Sequence, residues 1–325
     1  IQSPAVKQTN WEYRAKKGVL FWQIVRAVKV IEPKYVLLEN VDRLLKAPSK
    51  NKGRDFAIML SSFNELGHCV EWKVINAADY GFPQKRKRVF IVAYKSQSND
   101  EDLEKRVKEN SLFSHEFPSV QTDLKKTRMG LLGESIVETS ETYSNGSFYN
   151  SGIMENGKYY TTDMESIWSG QMSTLGDVIQ PLEDIDDSLF LTPEQEEKFK
   201  YLRGGKKIVR KSKTGHEYIY AEGAMSPYDV LEKPSRTILT SEGTTNRSTH
   251  ILKQNGRLRF LTEIEAERLQ DFPDDWTRFR VDEKTGEIVE VSRRKRLFFM
   301  GNALVVGVVT MIGNCIVLLD EDEQS

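Results

Sequence analysis

The sequence predicts an α/β protein that carries a second, mostly β module. Three observations lead there. An apolar strand over residues 35–41 holds a carboxylate, Glu39, at its carboxyl end. An amphipathic helix over 56–66 leads to two further apolar strands, 70–75 and 88–94, and strand–helix–strand at this spacing is the pattern of a doubly wound α/β layer. Residues 95–256 then turn polar and rich in Gly and Ser, and helical periodicity returns only at Arg257.

The elements follow in order. Residues 1–17 are polar and irregular and read as a loop; from Gly18 the spacing of Leu20, Phe21, Ile24, Val25 and Val28 predicts a helix ending near Pro33. After the strand over 35–41, residues 43–54 form a basic loop with Pro48, Asn51 and Gly53. The helix over 56–66 stops at Gly67, where a left-handed residue is expected. A turn at Tyr80-Gly81-Phe82-Pro83 feeds the strand over 88–94. In the polar middle, Asn156-Gly157 suits a type I′ hairpin turn. Thr192-Pro193-Glu194-Gln195 combines an N-cap, a first-turn Pro and a capping partner. A second capping box, Thr262 to Glu265, opens a helix through Leu269. The basic residues 293–296 precede Gly301-Asn302-Ala303, and an apolar helix is expected over 305–317 before an acidic tail.

Composition narrows the function classes. A chain of 325 residues can hold one large or two modest domains with real cores. Net charge is −1, so a nucleic-acid surface has to be a local patch. The two cysteines, Cys69 and Cys315, exclude a disulfide framework and a Cys-rich zinc site, and the four histidines show no metal-ligand spacing, so no metal is expected. No apolar run approaches the length of a membrane span and no signal peptide opens the sequence, so a soluble protein of a reducing compartment is expected, with no membrane partner. The first residue is Ile1 rather than Met, which suggests a piece of a longer chain.

Several residues have the character of a site. Glu39 is either a surface carboxylate at a strand end or a general acid whose pKa is raised there. Gln84, Arg86 and Arg88 alternate into a strand, which would put three hydrogen-bonding side chains on one face. The run Arg203, Lys206, Lys207, Arg210, Lys211 and Lys213 reads by itself as a solvated loop. Gly301-Asn302-Ala303 is either a plain N-cap or a donor of backbone N–H groups to a carboxylate. Cys69 and Cys315 read as buried packing residues.

Taken together and in this order, these features resemble one family, the cytosine-C5 DNA methyltransferases. The resemblance rests on Glu39-Asn40-Val41 after an apolar strand and on Gln84-x-Arg86-x-Arg88 after the turn that starts at Asn76. It continues in Arg259-Phe-Leu-Thr262-x-x-Glu265-x-x-Arg268-Leu-Gln-x-Phe272-Pro273 and in Gly301-Asn302-Ala303. It covers about residues 18–98 and 257–317. The region between matches only in position, as the family's target-recognition region.

The resemblance implies a Rossmann-like, S-adenosyl-L-methionine-dependent methyltransferase domain, present in part, with a smaller, mostly β target-recognition domain. Residues 1–98 would be the second part of the catalytic domain, 99–256 the recognition domain, and 257–325 the return into the catalytic domain. The implied reaction methylates C5 of a cytosine swung out of double-stranded DNA, in a bacterial or phage-type restriction-modification setting in the cytoplasm. A Cys thiolate adds to C6 while a carboxylic acid holds N3. By position, Glu39 is the N3 partner beside Asn40. Arg88 binds the cytosine O2, and Arg86 and Gln84 support it. Leu20 falls at the apolar wall against the cofactor's adenine, and Asn302 and Ala303 fall at its methionine end. Glu265 and Arg268 organise the recognition region. Lys206, Lys207, Arg210 and Lys211 would meet phosphates, while residues over 237–247, Thr240 and Arg247 among them, would read bases.

One departure matters. The family's Pro-Cys-Gln nucleophile segment and its Phe-x-Gly-x-Gly cofactor loop are both missing from this sequence. The expectation is a C-terminal fragment, or a second subunit whose complement carries the nucleophile, inactive alone. A catalytically dead DNA- or partner-binding module and a transfer-RNA methyltransferase stay open as alternatives. The intact Glu39, Gln84, Arg86 and Arg88 speak against the first, and the long recognition-like insert leans towards DNA.

Overall fold

The computed structural model describes residues 19–96, 102–212 and 215–322; the loop expected over 1–17, Lys213 and the end of the acidic tail lie outside the described residues. The chain divides into two compact units, one of residues 1–76, 87–169 and 311–325, the other of 77–86 and 170–310.

In the first unit, helix α1 (Val19–Ile31) leads into strand β1 (Tyr35–Asn40), helix α2 (Arg54–Glu65), strand β2 (Cys69–Asn76) and strand β3 (Lys87–Tyr94). Helix α3 (Leu103–Glu109), strands β4 (Ser119–Gln121) and β5 (Thr127–Leu131), helix α4 (Ile136–Thr142) and strands β6 (Ser151–Glu155), β7 (Lys158–Thr162) and β8 (Met164–Ser166) follow. Six strands share one sheet in the order β1-β3-β2-β6-β7-β5.

Strands β1 and β2 run the same way, joined through α2 as a wound α/β layer requires. They are not neighbours, because β3 lies between them and pairs antiparallel with both, Glu39 opposite Phe90 and Cys69 opposite Tyr94. The 10-residue return from β2 to β3 puts β3 beside β2, and the gap beside β1 is filled by the same strand. A core of Phe56, Leu60 and Phe63 from α2 with Trp72, Val89, Ile91, Phe148 and Tyr159 covers one sheet face. Each such side chain taken from water contributes roughly 1.5–3 kcal/mol, which holds α2 on the sheet. Gly152 is required here, since a Cβ would stand 2.2 Å from the Trp72 ring.

The hairpin expected at Asn156-Gly157 is present between β6 and β7, with φ of 50° and 77° at the two turn residues, as a type I′ turn demands. Its β6 pairs with β2, Val70 opposite Met154. The expected division at residues 98/99 is therefore not where the units part. Residues 102–169 extend the first unit's sheet, and 257–310 fold with 170–256. Polar texture marks how much of a segment meets water, whereas strand pairing decides which body it joins.

In the second unit, helix α5 (Pro193–Arg203) precedes strands β9 (Lys206–Lys211) and β10 (Glu217–Glu222); strands β11 (Ile251–Gln254) and β12 (Arg257–Phe260), helix α6 (Glu263–Leu269), strands β13 (Phe279–Val281) and β14 (Ile288–Glu290) and helix α7 (Arg293–Asn302) complete it. Both capping boxes expected from sequence form, at Thr192/Gln195 and Thr262/Glu265. Leu175, Ile238, Leu252, Leu261, Leu269, Leu297 and Met300 make its core. The basic residues 293–296 open α7 rather than preceding a helix. Helix α8 (Val306–Asp322) begins in this unit and ends in the first. The stretch 293–321 reaches the length and apolarity of a membrane span, but α7 and α8 are separated at 303–305, so no single helix runs through it.

Candidate active site

At the carboxyl end of β1, Glu39 and Arg88 meet. Residues of β1 and β3 that face each other across the ladder share a sheet face, so Glu39 opposite Phe90 is one step along from Arg88. The Arg88 guanidinium Nε lies 2.8 Å from Glu39 Oε1, and both side chains are partly open to solvent, 18% and 28% exposed. Asn40 closes the strand by accepting a hydrogen bond from the Val41 N–H at 2.8 Å, and a short 3-10 turn, Asp42–Lys46, follows.

Gln84 and Arg86 do not share that face. Strand β3 starts only at Lys87, so the alternation expected over 84–88 is broken before the strand begins. Gln84 is fully buried in the second unit; its amide donates to the Leu269 carbonyl and accepts from the Ile238 N–H, both at 3.0 Å. Arg86, 4% exposed, donates to the carbonyls of Ile238 and Gly301 at 3.4 and 3.3 Å. These two side chains tie backbone segments together.

Gly301 sits where a Cβ would come within 2.4 Å of the Thr240 nitrogen, so the Gly of Gly301-Asn302-Ala303 permits a close backbone crossing. Asn302 ends α7 and its side-chain amide donates to the Phe298 carbonyl at 3.1 Å; Ala303 is the C-cap. The segment thus finishes one helix instead of opening the next, and offers no helix N-terminus. Leu20, on α1, is 66% exposed, as an apolar wall for a ligand requires.

The basic run separates into occupied and unoccupied cations. Lys206 lies 3.8 Å from Glu222 and over the Tyr201 ring, and Lys211 lies 3.0 Å from Glu217. Arg210 stacks on Tyr220 at 3.8 Å from the ring centre. Lys207 is exposed and, among the described residues, makes no ion pair. The β9–β10 ribbon presents both faces to solvent, with Val209 65% exposed on one face and Ile208 37% on the other. Arg247 does not project to a ligand: it is held by the Glu222 carboxylate at 2.8 Å, the Gly223 carbonyl and the Met225 sulfur. Thr240 lines a cavity of about 470 Å³ with Ser241, Thr244, Arg294 and Lys295, a hydroxyl-and-cation lining suited to an anion. The basic run at 293–296 was the sequence signal for it.

Other polar clusters hold the second unit together, and sequence reading missed most of them. Arg259 and Glu265, both fully buried, form a two-pronged ion pair at 2.9 and 2.6 Å, and Glu265 also accepts from the N–H groups of Thr262 and Gln180. Arg268 pairs with Asp274. Asp229 bridges Arg203 and Arg236; burial alone would raise its pKa, and the Arg236 hydrogen bond with the nearby His250, Arg236 and Arg203 charges reverses this and holds the carboxyl well below its usual range. Ser235, His250 and Glu242 stand in line at 3.0 and 2.9 Å, and all three are buried. Among the described residues no group of His, Cys, Asp and Glu is arranged to hold a metal.

Neither cysteine sits where its thiolate is favoured. Burial pushes the Cys69 thiol up to about 12, reinforced by the Glu71 carboxylate, and burial pushes Cys315 up to about 11. A thiolate is the reactive form, and these environments suppress it.

Comparison with known proteins decides the family. The sequence pattern of the C-5 cytosine-specific DNA methylases matches residues 5–317. The chain belongs to that family. It is 49% identical over 315 residues to the Type II methyltransferase M.Sau3AI of Staphylococcus aureus, covering 94% of this chain and 73% of that protein. It is 24% identical to the Type II methyltransferase M.NlaIV of Neisseria lactamica, over 91% of this chain and 76% of that one. Among solved structures, the S. pombe Dnmt2 methyltransferase superposes with a TM-score of 0.52 over 92% of this chain and 71% of its own, at 12% identity, which speaks to the fold alone. The protein is thus an S-adenosylmethionine-dependent DNA (cytosine-5)-methyltransferase, with an α/β fold like that of the solved Dnmt2 structure.

Proposed function

We propose that these 325 residues hold the target cytosine by its N3 and O2 edge and grip the duplex around it, while the thiolate that adds to C6 comes from protein outside them. The observation that carries this reading is the Glu39–Arg88 pair. N3 and O2 are adjacent acceptors on one edge of the base, and a carboxyl beside a guanidinium presents matching donors when the carboxyl is protonated. In the attack, the sulfur–C6 bond forms, the C5–C6 double bond shifts to C4–C5, and the C4–N3 pair takes a proton from Glu39, leaving an enamine whose C5 can bond to the methyl carbon. Arg88 stabilises charge developing on O2. S-adenosylmethionine supplies the electrophilic methyl group. Loss of the C5 proton and departure of the thiolate then restore the ring, and N3 returns its proton to Glu39.

Taken each in its own unit, Leu20 has the exposed apolar surface that a cofactor's adenine needs, and Asn302, exposed at a helix end, is assigned by the family resemblance to the methionine end. The recognised duplex sequence would be read from the second unit. Lys207 and Arg210 on the β9–β10 ribbon would meet phosphates, and Thr240 would act through the cavity it shares with Arg294 and Lys295.

The test is transfer of labelled methyl groups from S-adenosylmethionine to a cytosine-containing duplex. We expect none from the chain alone, and transfer when a polypeptide carrying the Pro-Cys-Gln segment and the cofactor loop is added. Incorporation by the chain alone would overturn the assignment of the nucleophile.

A further inference from the structure

The first unit contains a cavity that the site above does not use. It measures about 670 Å³ and opens at the end of the sheet where β1 and β2 finish and β3 begins. Lys46, Lys52, Lys87, Lys126 and Arg128 line it, with only Asp42 and Asp163 as acidic counterparts. Five cations against two carboxylates leave a net +3.

The internal pairings sharpen that excess. Lys126 lies 3.1 Å from Asp163. Arg128 donates to the Ser147 carbonyl and lies over the Tyr149 ring, its guanidinium carbon 5.5 Å from the centre. Among the described residues, Lys46, Lys52 and Lys87 make no ion pair, and all three are exposed. They come from three separate segments: the 3-10 turn after β1, the approach to α2, and the first residue of β3. The floor is apolar, formed by Leu45, Val74 and Phe148.

This arrangement suits a chain of phosphates better than one small anion. One phosphate cannot engage cations spread around the rim of a cavity this size, whereas successive phosphates of a backbone can. The placement agrees. Lys87 and Arg88 are consecutive in β3, so they point to opposite faces of the same strand end, and Arg88 is the partner of Glu39. A backbone passing the end of this sheet meets the lysines on one face and the base-holding pair on the other.

We infer that this cavity binds backbone phosphates of the duplex substrate, giving the sheet-bearing unit its own grip on DNA beside the target base. The inference rests on the DNA-methylating reading above. It places a phosphate contact in residues 42–163, away from the basic run at 203–211.

Fluorescence anisotropy of a labelled duplex with the full chain, from 50 to 200 mM salt, tests it. Each phosphate contact contributes about −0.9 to the slope of log K against log salt. The double variant Lys52→Ala/Lys87→Ala should make that slope shallower by about 2 and weaken binding at low salt by about tenfold or more. The control Lys29→Ala/Lys105→Ala, exposed lysines of the same unit away from the cavity, should leave it unchanged, and thermal melting checks that both variants fold. Wild-type binding with no change of slope in the double variant overturns the cavity assignment alone. A wild-type chain that fails to bind duplex overturns the DNA reading with it. Displacement of the duplex by inorganic phosphate at constant ionic strength would mark a small-anion site and also overturn the inference.

Discussion

Arg86 and Arg88 stand two residues apart in one motif and do opposite work. Arg86 is buried in the second unit and donates to the main-chain carbonyls of Ile238 and Gly301. Arg88 stands at the open end of β1 in the first unit and meets a side chain, Glu39. A buried cation that serves backbone acceptors is scaffold, since those carbonyls are fixed in the fold. Arg88 also donates to the carbonyl of its neighbour Lys87 at 2.8 Å, but a partly exposed cation whose side-chain partner is a solvent-open carboxylate can exchange that partner for a ligand. Partner type and exposure therefore separate structure from chemistry where the motif alone cannot.

The sharpest test of this contrast sets activity against stability. With the nucleophile-bearing segment supplied, Glu39→Ala and Arg88→Ala should each lower methyl transfer by roughly 10²–10⁴-fold, the range for a positioned acid or an electrostatic donor. Their melting should change little, because a solvent-open ion pair is worth about 0–1 kcal/mol. Arg86→Ala should show the reverse: a loss of about 1–3 kcal/mol on chemical denaturation, from buried carbonyls left without donors. If Arg86→Ala melts like the wild type while activity falls, the division between the two arginines is wrong. At the buried extreme, Arg259→Ala leaves Glu265 buried without its two-pronged guanidinium partner, and should cost about 3–5 kcal/mol in the same experiment.

Lys73 shows the same rule inside the first unit. It lies within β2, 6% exposed, and its amine donates to Ser119 Oγ at 2.6 Å. Burial pulls its pKa down to about 8, opposed in part by the Glu71 carboxylate. Below pH 8 the amine is charged in both the folded and unfolded chain, and the folded state bears the full cost of holding that charge out of water. Between pH 8 and the ordinary lysine value of 10.5 the unfolded chain binds the proton and the folded chain does not, so stability rises with pH. Lys73→Met should stabilise the protein at pH 7 by about 1–3 kcal/mol, and its advantage should shrink across that window. An advantage independent of pH would mean that packing, not charge, is responsible.

Much of this was legible in the sequence because it is written locally. The capping boxes at Thr192 and Thr262, the turn at Asn156-Gly157 and the strand ending at Glu39 each depend on residues a few positions apart, and each appears as expected. The four motifs also identified the family. What the sequence hid depends on distant partners. That β6 would pair with β2, carrying residues 102–169 into the first unit, follows from a register no local pattern encodes. That Arg247 would be taken up by Glu222, and Gln84 by Ile238 and Leu269, needs contacts 25, 154 and 185 residues apart. Charge alone made Arg247 look free to read bases, and the structure occupies it.

The smallest expected effect tests the same distinction on the surface. Lys206 and Lys207 are neighbours on β9, and composition gives them one role. Lys206 is already neutralised near Glu222 and sits over Tyr201, whereas Lys207 is exposed without an ion pair among the described residues. A cation that has to leave a carboxylate to meet a phosphate gains less than one that leaves only water. Lys207→Ala should therefore reduce the salt slope of duplex binding by about 1, with little change in melting, while Lys206→Ala should change the slope less and the stability of the ribbon more. Equal slope changes in the two variants would show that the ion pair with Glu222 opens freely on DNA, and that exposure on this ribbon does not rank its contacts.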